Sequence, residues 1–521
     1  MIAIEKQRQQ IQIYCDNSKT LKERNFLGQY STPVKLANAI FTYTKGLFSS
    51  QNSIRFLDPA AGTGVFFSAL QNTFSQEQIE FAEGYEIDEH YGKLAHAIWK
   101  NTFVSYKLED FTQSIPPKND SEKFNLLICN PPYIRHHHIP SIHKTYLQTK
   151  IFDSIGIKLS GLSGMYCYFM MLAHSWMQTD CVAVWLIPSE FMDVNYGHAI
   201  REYLLNEVTL LRIHRFAPND VQFDNALVSS AVVWLKNKKP PKNNKVVFTY
   251  EGTINTPIHK KEISATILLK EKKWTRFPLL SERIASDKAK LSDFFTIKRG
   301  IATGHNKYFI LSLEEILKRD LPLSQFKPIL PNPKNLNQNV INTDSDGRPQ
   351  IENPLFVLNC ELSFDEVENS YPNLYQYLLK GIEEGVSKRY LCEKRKLWYA
   401  QENRPESFFY CTYIGRSDDA KNKPFRFILN YSKAIVSNSY LILYPKKFLA
   451  DKIINNPELC TFIFDELNNI TRDDMLNESR VYGGGMYKIE PKELGNVCIS
   501  NLAVSLELRM IESTNRKARL S

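Results

Sequence analysis

Residues 54–64 read Ile54-Arg55-Phe56-Leu57-Asp58-Pro59-Ala60-Ala61-Gly62-Thr63-Gly64, and the helical pattern Val65–Phe74 follows them directly. An apolar run ending in a carboxylate, a loop of small residues and then a helix is the opening unit of a parallel α/β sheet. Small residues let a ligand approach the backbone, and the helix start offers unpaired N–H groups. The third glycine of the dinucleotide fingerprint is missing, so the loop does not recommend a pyrophosphate, and Gly-x-Gly by itself is a weak signal.

Downstream, strand-like and helix-like stretches alternate to about residue 236. The expected strands are Ile54–Leu57, Ile79–Glu86, Phe124–Cys129, Val182–Ile187, Leu210–Phe216 and Val228–Leu235, with helices at Val65–Phe74, Met165–Met177 and Tyr196–Asn206. The second strand ends Gly84-Tyr85-Glu86-Ile87-Asp88, which puts Glu86 86 − 64 = 22 residues beyond Gly64. An acid at that offset can accept hydrogen bonds from ribose hydroxyls; the alternative is a solvated strand-end charge. Loop and acid together imply a nucleoside cofactor with no required phosphate, which S-adenosylmethionine satisfies, at Asp58, Ala60, Gly62, Gly64 and Glu86. After a third strand at Val104–Leu108, Asp110 could accept from an adenine amino group and Phe111 could stack on its ring. A helix N-cap followed by a core aromatic fits those two residues nearly as well.

Residues 124–133 read Phe124-Asn125-Leu126-Leu127-Ile128-Cys129-Asn130-Pro131-Pro132-Tyr133. Ligands of open parallel sheets bind beyond the carboxyl ends of the strands, so Asn130 lies on one edge with Gly62 and Glu86. An aromatic amino group is a poor nucleophile because its lone pair is delocalised into the ring. The Asn130 side-chain oxygen and the Pro131 carbonyl can each accept one of its N–H bonds and leave the lone pair aimed at a methyl sulfonium. Tyr133 offers a ring face to an extruded base. Phe223, in Val221-Gln222-Phe223-Asp224-Asn225, is the candidate for the opposite wall, against the alternative of a loop residue tucked onto the core. His136, His137 and His138 are adjacent and cannot easily close on one ion, so no metal is expected and they read as a polar or DNA-facing loop.

The bulk numbers agree with this class. A chain of 521 residues is too long for one ordinary core. It is 43% hydrophobic and 23% charged, with no run able to span a bilayer and no signal-peptide core, so a cytoplasmic protein without a membrane partner is expected. Nine cysteines, scattered without a Cys-x-x-Cys pair, argue for reduced thiols. The Lys and Arg excess of 65 − 56 = 9 permits a polyanionic partner. A boundary is expected in Lys236-Asn237-Lys238-Lys239-Pro240-Pro241-Lys242, which cannot continue a central strand. The Lys236–Lys245 run reads as a solvated linker more than as a contact surface. Beyond Leu291 basic and aromatic residues interleave: Lys298, Arg299, Lys388, Arg389, Tyr390, Lys394, Arg395, Lys396, Trp398, Arg426 and Lys488.

In this order of motifs the chain resembles the gamma class of N6-adenine DNA methyltransferases of type II restriction–modification systems. The matching segments are Gly28-Gln29-Tyr30-Ser31-Thr32-Pro33, the Asp58–Gly64 loop, Glu86, Asp110-Phe111, Asn130–Tyr133, Val182–Phe191, and the Phe223 loop with its strand Val228–Leu235. The resemblance covers residues 26–236 firmly. It implies that Tyr30, Thr32 and Pro33 neighbour the methionine part of S-adenosylmethionine, and that Phe223 packs on the flipped adenine opposite Tyr133. Segments 291–300 and 481–491 look like the opening and closing segments of the family's target-recognition region. Asn130 in place of Ser favours adenine over cytosine-N4, again by resemblance. Cytosine-C5 chemistry is disfavoured because none of the cysteines follows a proline.

The fold expected is therefore a doubly wound, mostly parallel, Rossmann-like methyltransferase sheet with a C-terminal α+β DNA target-recognition domain. Its expected parts are a helical extension (1–27), the catalytic domain (28–245), a connector (246–284) and the recognition domain (285–521). The resemblance implies a prokaryotic enzyme acting on double-stranded DNA, and a monomer is expected because one copy can modify each strand of a palindrome separately. The stretch before Gly28 is too short for a fused nuclease, so a separate restriction endonuclease is expected. The competing readings are a methyltransferase for an RNA base or a protein glutamine amide, and a DNA-specificity protein that has lost catalysis. A large basic C-terminal half weighs against the first, and the intact loop, acid and tetrapeptide against the second.

Overall fold

A computed structural model describes residues 2–48, 53–217, 220, 222–223, 229–278, 289–416, 423–482 and 486–499. The chain divides into two compact units, Met1–Ile284 with Val481–Gly484, and Ala285–Arg480 with Gly485–Ser521.

The first unit is built on a sheet of nine strands among the described residues: β1 (Ile54–Asp58), β2 (Ile79–Tyr85), β3 (Val104–Lys107), β4 (Phe124–Cys129), β5 (Met177–Pro188), β6 (Thr209–Arg215), β7 (Ser230–Lys236), β8 (Lys245–Gly252) and β9 (Pro257–Ser264). Their order is β3-β2-β1-β4-β5-β7-β6-β8-β9. Strands β1 to β5 pair in parallel, and β7 inserts antiparallel between β5 and β6. The central strands are apolar without alternation because both faces are covered. Leu127 and Cys129 of β4 pack on one side with α6 (Ser141–Ile155), α7 (Met165–Leu172) and α8 (His198–Asn206). Leu126 and Ile128 pack on the other with α3 (Val34–Lys45), α4 (Val65–Thr73) and α5 (Glu89–Trp99). Two further helices, α1 (Ile2–Asn17) and α2 (Leu21–Leu27), precede these.

Two expectations need correction. The lysine- and proline-rich stretch after β7 is a turn inside the sheet and not its end: β8 pairs in parallel with β6, and β9 pairs with β8. Residues 245–264 are therefore sheet and not connector. They were hard to read because β9, at the sheet edge, alternates exposed residues such as Ile258, Lys260 and Glu262 with half-buried ones. The segment expected as one helix from Met165 to Met177 is α7 followed by a 3₁₀ turn, Ala173–Trp176, with Met177 already in β5. Val228, expected to open β7, lies outside the described residues.

The second unit is α+β. One sheet orders Phe295–Arg299, Tyr440–Pro445, Phe409–Thr412, Phe427–Asn430 and Val340–Ile341, and a smaller one joins Ile310–Ser312, Leu355–Leu358 and Phe326–Ile329. Its opening segment is held by the stretch that follows the expected closing segment, since Leu291 N donates to Val497 O (3.0 Å). Gly483, Gly484 and Gly485 of the closing motif lie outside the described residues. No helix among the described residues is long and apolar enough to cross a membrane.

Candidate active site

The carboxyl ends of β1, β2 and β4 open on a cavity of about 420 Å³. Of the residues singled out above, Tyr30, Thr32, Asp58, Ala60, Gly62, Glu86, Asp110, Phe111 and Asn130 line it. Pro33, Gly64, Pro131, Tyr133 and Phe223 do not; Pro132, next to Pro131, does. Pro33 is exposed and caps α3. Gly64 takes the left-handed conformation (φ +90°) at the start of α4, where a Cβ would lie 2.4 Å from Trp99 Nε1, so only glycine fits beneath that ring.

The glycine loop is held from the sheet side by three bonds. Tyr106 Oη donates to Gly62 O (2.5 Å), Trp99 Nε1 to Thr63 O (3.0 Å), and Gly62 N to Glu86 Oε2 (3.0 Å). Glu86 Oε1 accepts from Asp88 N (2.7 Å). Burial pushes the Glu86 carboxyl up to about 7, opposed by the backbone N–H groups that donate to it and reinforced by the Asp88 charge. Asp58 is fully buried, accepts from Ala60 N (3.2 Å), and is raised well above the usual carboxylate range, chiefly by burial. Asp110 Oδ1 accepts from both Thr112 N and Thr112 Oγ1 (2.8 Å each). Phe111 packs on Tyr85, Trp176 and Phe169 (5.5, 5.2 and 5.6 Å) while it lines the cavity. The two readings of that pair, turn cap with core aromatic and ligand wall, are thus geometrically compatible.

Asn130 follows β4 immediately. Its Nδ2 donates to Tyr30 O (2.8 Å) and Thr32 Oγ1 (3.0 Å), which fixes which end of the amide is which. Its Oδ1 is buried and accepts no hydrogen bond from any described residue. The result is an anchored amide with one spare, buried acceptor on a residue that lines the cavity. Tyr133 is placed by its backbone N, which donates to Gly28 O (3.0 Å), and by its hydroxyl, which donates to Leu186 O (2.9 Å). Gly28 ends α2 with φ +64°, and a Cβ there would fall 2.4 Å from Tyr133 N. Glycine is what lets the two chain segments touch. The ring of Tyr133 lies 5.8 Å from Phe223 and 5.3 Å from Tyr30, and Tyr30 lies 5.7 Å from Phe223. Tyr133 and Phe223 meet edge to face at 80°, and the three rings fill their shared space.

His136–His138 form a 3₁₀ turn, with His138 packed on Phe26 (4.5 Å). No group of three or more His, Cys, Asp or Glu that could hold a metal occurs among the described residues. Several cavity residues escaped the sequence reading: Gln12, Thr63, Tyr91, Thr112 and Phe169. Asp88, capping α5 through His90 N (2.9 Å), was visible in the segment quoted with Glu86 but carried no assigned part.

In the second unit several basic candidates are already engaged. Arg395 donates to Ala302 O (2.6 Å), Arg426 to Pro333 O and Leu336 O (2.7 and 2.8 Å), and Lys488 pairs with Glu490 (2.9 Å). Arg299 lies 3.9 Å over the Tyr413 ring. Lys388, Arg389, Tyr390, Lys394 and Lys396 are exposed. Arg389 also lines an open cavity of about 600 Å³ with Thr303, His305, Asn306, Lys307 and Asn438, where no lining residue is acidic.

Two families match the chain: "Eco57I restriction-modification methylase" over residues 19–222, and "Type II methyltransferase M.Eco57I, C-terminal domain" over 267–521. Type II methyltransferase M.AccI of Acinetobacter calcoaceticus is 25% identical over 506 residues, spanning 94% of this chain and 88% of the relative. Type II methyltransferase M.XamI of Xanthomonas campestris pv. amaranthicola is 25% identical over 479 residues, spanning 91% and 85%. Among solved structures, the Type IIL restriction-modification enzyme MmeI in complex with DNA shares the fold, with a TM-score of 0.51 and 14% identity over 82% of this chain and 64% of that one.

Proposed function

Because the chain belongs to the type II restriction–modification DNA methyltransferases, we propose that it methylates the N6 amino group of an adenine swung out of double-stranded DNA, using S-adenosylmethionine. The observation that carries this reading is the anchored Asn130 amide. Nδ2 is spent on Tyr30 and Thr32, which leaves Oδ1 as a buried acceptor with nothing to accept. A buried acceptor without a donor costs on the order of 1–3 kcal/mol, so it is best explained as reserved for a ligand N–H.

The cofactor fits the residues present. A cavity of about 420 Å³ is of ligand size, and Glu86 stands on its wall where ribose hydroxyls would donate to it. Asp58, Ala60 and Gly62 would line the nucleoside side, Asp110 and Phe111 the adenine, and Tyr30 and Thr32 the methionine. When bound, S-adenosylmethionine supplies a methyl group on a sulfonium. The chain's own work is positioning. Asn130 Oδ1 and the Pro131 carbonyl accept the two amino N–H bonds, hold the nitrogen pyramidal and leave its lone pair free. No strong base is required, since the methylated nitrogen is acidic enough to lose its proton to water. A base between Tyr133 and Phe223 needs two ring contacts, about 7 Å in all. Base entry therefore includes an outward shift of Phe223 or Tyr30 from the present contact.

Sequence reading is assigned to the second unit, with Lys307 and Arg389 at phosphates or base edges. Modification by a monomer, paired with a separate restriction endonuclease, completes the reading. The test is to express the gene in a methylation-free host and map modified bases. N6-methyladenine at one recurring sequence supports the proposal; unmodified DNA or N4-methylcytosine overturns it.

A further inference from the structure

Any role for α1 at the cavity rests on the reading of that cavity as a cofactor site, and that reading gives the helix no part. Yet α1 reaches the cavity through Gln12. The helix turns Ile4, Arg8, Ile11, Gln12 and Cys15 inward, a helical spacing. Ile4 and Ile11 pack on the core around β1 and α4, and Cys15 is fully buried. The middle of this face is polar. Arg8, 2% exposed, is held by Glu5 and donates to Thr63 Oγ1 (2.9 Å). Thr63 Oγ1 donates to Gln12 Oε1 (2.5 Å), and Gln12 Nε2 donates to Ser31 Oγ (2.7 Å). Thr63 belongs to the glycine loop and Ser31 to the segment that anchors Asn130, so one polar chain ties α1 to two walls of the cavity.

A helix serving only to cover a core buries apolar side chains, since a buried guanidinium and a buried amide each need partners. Here β3, α5 and Glu86 hold the loop by its backbone, through Gly62 and Thr63. The Thr63 hydroxyl is bonded to α1. We propose that α1 is the door of the cofactor cavity, latched through the Thr63 hydroxyl by Arg8 and Gln12, and that S-adenosylmethionine enters and leaves when this latch opens.

The latch is tested by stopped-flow binding of S-adenosylmethionine to the full-length protein. Thr63→Val keeps the side-chain volume and removes the hydroxyl, and Gln12→Ala removes the second link. In both, association and dissociation should accelerate together, by roughly five- to a hundredfold for the two hydrogen bonds that each variant removes. Gln10→Ala, on the exposed side of α1, should leave both rates unchanged. Faster dissociation alone would make Thr63 a plain contact and overturn the latch; so would unaltered rates in Thr63→Val. Absence of binding by the wild-type protein would instead overturn the reading of the cavity, and the latch would fall with it.

Discussion

Thr32→Val probes the anchoring of Asn130 without touching Asn130 itself. The hydroxyl accepts from Asn130 Nδ2 at 3.0 Å, and the Tyr30 carbonyl accepts from the same nitrogen at 2.8 Å. Valine keeps the shape and removes the first acceptor, so one amide hydrogen loses its partner in a part-buried place. That omission costs about 1–3 kcal/mol. It also halves what keeps the amide from turning over, because a flipped amide would then face one repelling acceptor and not two. If Oδ1 orientation matters chiefly in the transition state, the loss appears in the chemical step, where 1.4 kcal/mol is about tenfold. Single-turnover methylation at saturating cofactor should slow by roughly five- to a hundredfold at a temperature where the variant stays folded, with the melting temperature lowered by about a few degrees. Wild-type turnover, or a defect confined to cofactor affinity, would refute the anchoring argument and leave Thr32 as a cavity wall only.

Asn130→Ala removes the spare acceptor and should nearly abolish transfer while calorimetry still detects cofactor binding; substantial turnover would remove Asn130 from the mechanism. Glu86 should give cofactor binding a pH dependence. Its carboxyl sits near 7 because of burial, and ribose hydroxyls favour the ionised form, so below about 7 the free protein must shed a proton to bind. Affinity should fall as pH drops from 7 toward the ordinary carboxylate range, with proton release seen by calorimetry in two buffers; a flat profile would exclude the ribose assignment. The same raised value means that Glu86 favours the folded state at low pH, and that this contribution is lost as pH rises through about 7. Gly28→Ala should destabilise by more than ~2 kcal/mol, because a positive φ and a 2.4 Å approach to Tyr133 N both oppose a Cβ, and a near-native melting temperature would contradict the contact. Arg389→Ala should weaken DNA binding and lower the salt slope by about 0.9 if it meets one phosphate. An unchanged slope would place Arg389 off the DNA.

The legible parts of the sequence are those where chemistry and burial coincide. Asp58–Gly64 and Asn130–Tyr133 were legible because each closes a strand buried on both faces, which reads as an unbroken apolar run before a short motif. Phe223 was a candidate from its loop position, and family resemblance supported the choice, since no local pattern announces a contact with a ring 90 residues away. Arg8 and Gln12 were invisible for a different reason. A polar residue on the inner face of a helix looks like any solvated position until its partner is known, and their partner Thr63 is more than 50 residues distant. The last two strands of the sheet were expected only as strand content of a connector, because the lysine- and proline-rich turn before them has the composition of a linker.

The central claim is that Asn130, at the end of β4, presents a target adenine for methylation at N6. Long-read sequencing of DNA from a methylation-free host expressing the wild-type or the Asn130→Ala protein tests it most directly. N6-methyladenine at a single recurring sequence is expected with the wild type and none with the variant. Equal modification by both proteins, or modification of cytosine, would contradict it.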